Sequence, residues 1–390
     1  MVTAPLSAEA VADPAALGFD PEAIAALRER ATREINAGLL PSCQLALARD
    51  GKVAWSETFG DATSASRYVI FSATKAVVAG AVWLLIGEGN LDPAERVGDI
   101  VPEFAANEKE TITVEQVMLH TSGFPRAPLG PPTWGDRTHR LEAFSRWRCN
   151  WEPGTRYEYH PTSAHWVLAE IIERRTGDDY RAFIRRRILE PLGLRNLQLG
   201  RLPGDGPIDN VNQLTRVGEP PSADELEAAL GIREMPLTDV TPEALLGFNE
   251  PEQREVGVPG GGGVSTAVDL ALYYQALLHN TNDMWDPDVL SDVTSRVRNR
   301  LPDYLGIEAN RALGVVIAGD DGKSHLRGFG HTVSPRAFGH NGAGGQIAWA
   351  DPETGVSFCY FTNGLDENII RQTRRTSGIA SRAATCVDRG

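Results

Sequence analysis

The chain has 390 residues with 42% hydrophobic content, enough for a large core and about two structural units. Its 38 Lys and Arg against 52 Asp and Glu leave a formal net charge of −14, a balance that repels phosphate backbones and anionic lipid and so argues against nucleic acid or a membrane surface as partner. No run of about 18 apolar residues suggests a membrane span, and residues 1–38 lack a basic start followed by an apolar core, so a cytoplasmic location is expected; Cys43, Cys149, Cys359 and Cys386 are scattered without a CxxC pair and read as free thiols.

Asp20 is a good N-cap and Pro21 suits a first helical turn, after which Ile24, Leu27, Ala31 and Ile35 recur on one face up to Gly38. This pattern predicts an amphipathic helix. Residues 43–48 and 52–59 read as strands around Asp50-Gly51, a dipeptide that favours a hairpin because both central turn positions want φ > 0. Residues 72–88 then read as a buried helix without a polar face, closed by Gly87 and Gly89, and Lys75 is its anomaly.

Thr113 and Gln116 form a capping box for a short helix that stops at His120-Thr121-Ser122-Gly123, and the Pro/Gly-rich passage 124–134 reads as a surface loop. Tyr157-Glu158-Tyr159-His160-Pro161 leads into a helix with Ala164, Leu168, Ile171 and Ile172 on one face, ended by Gly177. A second helix carries Tyr180, Phe183, Ile184 and Ile188 and is stopped by Pro191. From about 200 to 255 the chain is acidic and Pro-rich, with one short helix signalled by Ser222 and Glu225, and reads as a lid or a long surface excursion.

The glycine run 260–263 lacks the Lys-Ser/Thr ending of a phosphate loop, and the simpler reading is a tight backbone approach beside a helix capped by Thr266 and Asp269. Residues 313–318, 346–350 and 356–362 read as strands, with a turn at 351–355 and a C-terminal helix from Glu367. Strands at both ends with helices between predict an α/β (α+β) fold: one antiparallel sheet built from both termini, flanked by helices, with a mostly helical domain inserted. The expected division is 1–75 plus 256–390 for the sheet domain and 76–255 for the helical one, with a lid-like excursion at about 200–255.

Ser72 and Lys75 stand three positions apart, nearly one turn, so hydroxyl and amine can face each other at a helix start. A serine is a poor nucleophile until its proton is taken, and a lysine among Ala76, Val77 and Val78 should lose affinity for its own proton by desolvation. The pair therefore has the makings of nucleophile and base, and the backbone N–H groups at the helix start point toward an incoming oxyanion. On its own the spacing also fits a capped helix with a snorkelling lysine.

Ser72-Ala73-Thr74-Lys75, His120-Thr121-Ser122-Gly123, 153–159 (Pro-Gly-Thr-Arg-Tyr-Glu-Tyr), Pro191-Leu192-Gly193-Leu194 and Gly339-His340-Asn341-Gly342 together resemble, in order, the serine β-lactamase family of class C type. That family includes penicillin-binding D-alanyl-D-alanine carboxypeptidases, carboxylesterases, nylon-oligomer hydrolases and some acyltransferases. The similarity runs from about Leu17 to about Gly364. It implies a β-lactamase-like fold, acylation of Ser72, deprotonation helped by Lys75, and Tyr159 as second base and proton shuttle. It also implies that His340, Asn341 and Gly342 occupy the substrate-binding cleft edge where the family has K-T-G, that Gly342 lets substrate approach the strand closely, that His340 orients Tyr159 or the substrate, and that the N–H groups of Ala343 and Ser72 form the oxyanion hole.

Two departures from the family pattern bear on substrate. A histidine near its usual pKa is only partly charged at pH 7, so recognition of a substrate carboxylate through His340 should be weaker than through lysine. Pro161 replaces the asparagine of Y-x-N and brings no side-chain donor or acceptor. The expectation is a serine hydrolase of small esters with weak or no β-lactamase activity, needing no cofactor or metal. An acyltransferase with the same site, or a non-catalytic ligand-binding homologue, is the alternative. His120 and Ser122 read as a helix-ending turn, and His160, His165 and His331 as packing or surface residues. Trp134, Trp147 and Trp151 either line an apolar acyl pocket or are simple packing. The partner is a small acyl substrate, and oligomeric state is not legible.

Overall fold

The computed structural model describes residues 7–235 and 240–387. Its framework is a seven-stranded sheet made of β1 (Ser7–Val11), β2 (Ser42–Arg49), β3 (Lys52–Gly60), β4 (Val316–Ile317), β5 (Phe338–Gly339), β6 (Ile347–Asp351) and β7 (Val356–Thr362), in the order β1-β3-β2-β7-β6-β5-β4. The β2–β3 hairpin turns through Asp50 and Gly51, both at positive φ (53° and 73°), as the dipeptide requires. β7 from the C-terminal half pairs antiparallel with β2 from the N-terminal half, from Val356 opposite Arg49 to Thr362 opposite Cys43. Both termini thus build one sheet; only β1, parallel to β3, departs from antiparallel pairing.

Each face of this sheet has its own core. On one lie α1 (Pro21–Asn36), capped by Asp20, and α5 (Ile369–Ala383), capped by Asn368, packed on Leu45, Leu47, Trp349 and Phe358. On the other lie α2 (Thr74–Gly87) and α4 (Ala267–His279), backed by α3 (Ser163–Thr176) and the other central helices. Residues 74–85 of α2 are all buried, which is why its sequence has no polar face.

Several expectations need correction. The strand expected at 313–318 is short, because Gly314 sits at φ +94° against Ala79 and the Leu313 carbonyl accepts from the Trp83 indole instead of a neighbouring strand. The second central helix ends its α-helical part at Ile184 and continues as a π-turn, Arg185–Leu189. Among its described residues the 200–255 passage carries three short α-helices rather than one: Ala223–Leu230, Pro242–Leu246 and Pro251–Val256, the last two opened by proline at the first turn. A further helix, Pro287–Ser295, was not anticipated, although Asp286 and Pro287 are an ordinary cap and first-turn pair. Among the described residues no helix is long and apolar enough to cross a membrane.

Candidate active site

Ser72 is set by the four residues before it. Tyr68–Val69 pairs as a short strand with Gly263–Ser265, and the Ile70 N–H donates to the Gly263 carbonyl at 2.9 Å. Phe71 then adopts φ +44°, a left-handed conformation costly for an aromatic residue, with its ring edge-on to Phe248 at 5.8 Å. This bend turns Ser72 into a 3₁₀ turn, Phe71–Ala73, that feeds directly into α2. Tight packing on both sides holds the unfavourable φ and presents the hydroxyl at the helix start.

Lys75 is fully buried, with Nζ 3.2 Å from Ser72 Oγ, 2.7 Å from the Pro161 carbonyl and 2.5 Å from the Gly260 carbonyl. Burial, and after it the positive Arg311, push its proton affinity well below that of an ordinary lysine. As a neutral amine it has two N–H donors and one lone pair. The two carbonyls occupy the donors and the lone pair is left for the Ser72 proton. Gly260 is required for this contact, since a Cβ there would lie 2.6 Å from the Pro161 carbonyl and 3.4 Å from Nζ. The glycine run is thus a tight backbone approach.

The Tyr159 hydroxyl is buried without a hydrogen-bond partner; Ser72 lies near enough to favour its ionised form but short of hydrogen-bond geometry. Its ring stands 5.0 Å from Lys75 Nζ and 5.1 Å from the Arg311 guanidinium. Burial raises its pKa more than Arg311 lowers it, so the resting group is a phenol. His340 lies 6.0 Å from that ring, centroid to centroid. Burial, then Arg311 and Lys75, drive it well below the usual histidine range, which corrects the expectation of partial charge: it is neutral. Its Nε2 accepts from Arg311 Nη1 at 3.2 Å, and the Nδ1 side faces the Asn341 carbonyl at 2.9 Å.

Gly342 and Asn341 are placed beside the cleft but are engaged elsewhere. A Cβ on Gly342 would lie 2.3 Å from the Ile70 carbonyl, so the close approach there is by the protein's own backbone, which seats the strand end against the segment leading to Ser72. The Asn341 amide donates to Gly328 O at 2.7 Å and accepts from Ala348 N at 3.0 Å, holding β6 rather than reaching into the cleft. Ala343 opens a second 3₁₀ turn, Ala343–Gly345, and lines the same cavity as Ser72. Both N–H groups stand in first turns, where no intrahelical partner exists for them.

Two cavities meet at this point. One of about 560 Å³ holds Ser72 and Ala343 at one end and is otherwise mostly apolar, with Phe71, Leu129, Trp134, Leu245, Phe248 and Val258 in its wall. The Pro/Gly-rich loop and the helix Pro242–Leu246 thus form an acyl-sized pocket. The other, about 650 Å³, carries Tyr159, Tyr157, Tyr304 and Arg156, and Arg126 and Pro161 border both. Trp134 lines the first cavity, whereas Trp147 stacks on Phe124 and Trp151 packs near His160. His160 is buried and held by the Phe124 N–H, Ser122 and the Glu158 carbonyl; burial lowers its pKa to about 3. His331 stacks on His325 with ring centroids 4.2 Å apart. No group of three or more potential ligands is arranged for a metal among the described residues.

Sequence reading missed three groups. Arg311 is 6% exposed, donates to the Tyr157 hydroxyl at 3.1 Å, and has no carboxylate partner among the described residues. The other two are backbone carbonyls, of Pro161 and Gly260, which carry no side-chain signal at all. Arg311 lies in no motif; only its place just before a predicted strand could have drawn notice.

A family model described as Beta-lactamase matches residues 27–379. The chain is 32% identical over 342 residues to the esterase/beta-lactamase LipL of Mycobacterium tuberculosis, covering 81% of this chain and 72% of that one. Among solved structures it is similar to a penicillin-binding protein homolog from Caulobacter crescentus, with a TM-score of 0.75, 27% identity and coverage of 95% and 99%. A family VIII carboxylesterase shares the fold with a TM-score of 0.74, 24% identity and coverage of 94% and 99%.

Proposed function

Because this chain belongs to the beta-lactamase family, we propose that it is a serine hydrolase working through a covalent acyl-enzyme, a carboxylesterase on small esters with apolar acyl groups and with weak or no β-lactamase activity. The observation that carries the reading is the 3.2 Å approach of a buried, carbonyl-held Lys75 to Ser72. Ser72 Oγ gives its proton to the Lys75 amine and bonds to the ester carbonyl carbon, whose oxygen takes the negative charge between the Ser72 and Ala343 N–H groups. The carbonyl–oxygen bond to the alcohol then breaks, and the leaving alkoxide takes the Tyr159 proton. Lys75 returns its proton to Tyr159, and the same groups pass a water through the reverse sequence.

The raised pKa of Tyr159 suits this order, since a phenol in the resting site is ready to protonate the leaving group. The mostly apolar wall of the cavity holding Ser72 favours an alkyl or aryl acyl group, and Pro161 offers no amide for an acylamino substrate. LipL is described as an esterase/beta-lactamase, which supports the same chemistry. The test is intact-mass analysis after a fluorophosphonate or a p-nitrophenyl ester. A single adduct on wild type that is absent from Ser72→Ala is expected; no adduct on wild type, or one that persists in the variant, would sink the reading.

A further inference from the structure

Arg311 is a buried cation for which the described residues supply no anion. Its neighbours Asn310, at φ +45°, and Asn299 thread it between backbone bridges to Asn299 and Val316, so the guanidinium has a fixed place. Nε donates to the Tyr157 hydroxyl at 3.1 Å and Nη1 to His340 Nε2 at 3.2 Å, while the guanidinium carbon stands 5.1 Å from the Tyr159 ring centroid. No ion pair to it exists among the described residues. A desolvated charge without a partner is expensive to keep unless something nearby gains from it.

The groups facing it are Tyr157, Tyr159 and His160 from the segment before α3, His120 from the turn, His165 from α3, Lys75 from α2 and His340 from the sheet edge. None is acidic. Two of them, Lys75 and Tyr159, exchange protons in the proposed reaction.

We propose that Arg311 is a positioning residue of this active site, supplying a fixed positive charge beside the Tyr159 ring, anchored on His340 and Tyr157, against which Tyr159 gives up its proton. The inference rests on the acyl-enzyme reading above. As Tyr159 hands its proton to the leaving alkoxide, the phenolate that forms lies beside a cation already fixed in place, so no reorganisation is needed when the charge appears. The same charge opposes protonation of Lys75. Arg311 forms and breaks no bond. Its hydrogen bond to Nε2 keeps His340 oriented, the one to the Tyr157 hydroxyl fixes the guanidinium, and its charge acts through space.

The test compares wild type, Arg311→Lys and Arg311→Gln in kcat/KM against pH for p-nitrophenyl acetate, with thermal unfolding of each and fluorophosphonate labelling of Ser72. Arg311→Gln should lower kcat on the order of tenfold or more near pH 7 and move the acid limb of the profile up by about one pH unit. Arg311→Lys keeps the charge and should leave the limb in place while lowering kcat less. A limb unmoved in Arg311→Gln, whatever the fall in rate, assigns the residue to structure and overturns the proposal. If Arg311→Gln does not fold, Arg311→Lys decides: a displaced limb in that charge-preserving variant overturns it. Absence of labelling in wild type would instead remove the acyl-enzyme reading itself, so the two failures are told apart.

Discussion

Lys75 Nζ donates to the backbone carbonyl of Pro161 at 2.7 Å, across 86 residues of chain. With the Gly260 carbonyl as a second acceptor, the amine is gripped by two neutral groups and, among the described residues, by no carboxylate. Neutral acceptors orient an amine without fixing a proton on it as an anion would.

This arrangement has a pH signature in stability. Burial and Arg311 hold the folded pKa of Lys75 well below lysine's ordinary 10.5, so between those values the unfolded chain binds more protons and wild-type stability rises with pH. Lys75→Met removes that slope. Subtracting the variant's unfolding free energy from that of wild type should leave a difference that grows in favour of wild type toward pH ~10.5, by about 1.4 kcal/mol per unit of pKa depression. Ester turnover should fall about 10²-fold or more. A difference that stays flat with pH would contradict a buried amine of low proton affinity.

Gly260→Ala places a methyl group 2.6 Å from the Pro161 carbonyl. The backbone must move, and the cost should be about 1–3 kcal/mol of stability together with a fall in kcat, because Nζ loses its register with Ser72. Gly206→Ala, where a Cβ meets nothing within 4 Å, is the control and should stay within about 0.5 kcal/mol of wild type. Equal melting curves and equal rates for the two variants would show that Gly260 does not set the amine.

Restoring the family's lysine at position 340 should harm the protein. His340→Lys would bury a second cation where Nε2 now accepts from Arg311 at 3.2 Å, costing about 3 kcal/mol or more, with no gain in cephalosporin hydrolysis. His340→Gln keeps an acceptor for Arg311 and should remain within about 1.5 kcal/mol of wild type in urea unfolding. A His340→Lys protein as stable as wild type would mean that Arg311 does not occupy that corner in solution.

Leu129 lies on the Pro/Gly-rich loop and lines the apolar cavity beside Ser72. Leu129→Trp should shorten that cavity. Across p-nitrophenyl esters of graded acyl length, activity on acetate should change less than about threefold, while the longest accepted acyl chains lose on the order of tenfold, as a pocket contact worth 1–3 kcal/mol would give. A uniform loss at every length would place the acyl chain elsewhere.

Elements whose signals are local were legible in the chain alone. The Asp50-Gly51 hairpin, the α1 cap at Asp20, the capping boxes at Thr113 and Ser222 and an α2 without a polar face follow from turn chemistry, capping and periodicity, each decided within a few residues. The Ser72–Lys75 approach is legible for the same reason, since three positions on a helix bring the two side chains to one face. The electrostatic surroundings of that pair were not legible in this way. The carbonyls of Pro161 and Gly260 meet Lys75 from segments 86 and 185 residues away, Arg311 reaches Tyr157 from 154 residues away, and His340 becomes neutral because it is buried beside that cation. Backbone carbonyls have no residue type to betray them, and desolvation belongs to the packed interior rather than to any one side chain. The Ser72–Lys75 pair could be read in the sequence, whereas the electrostatic setting around it came from long-range packing.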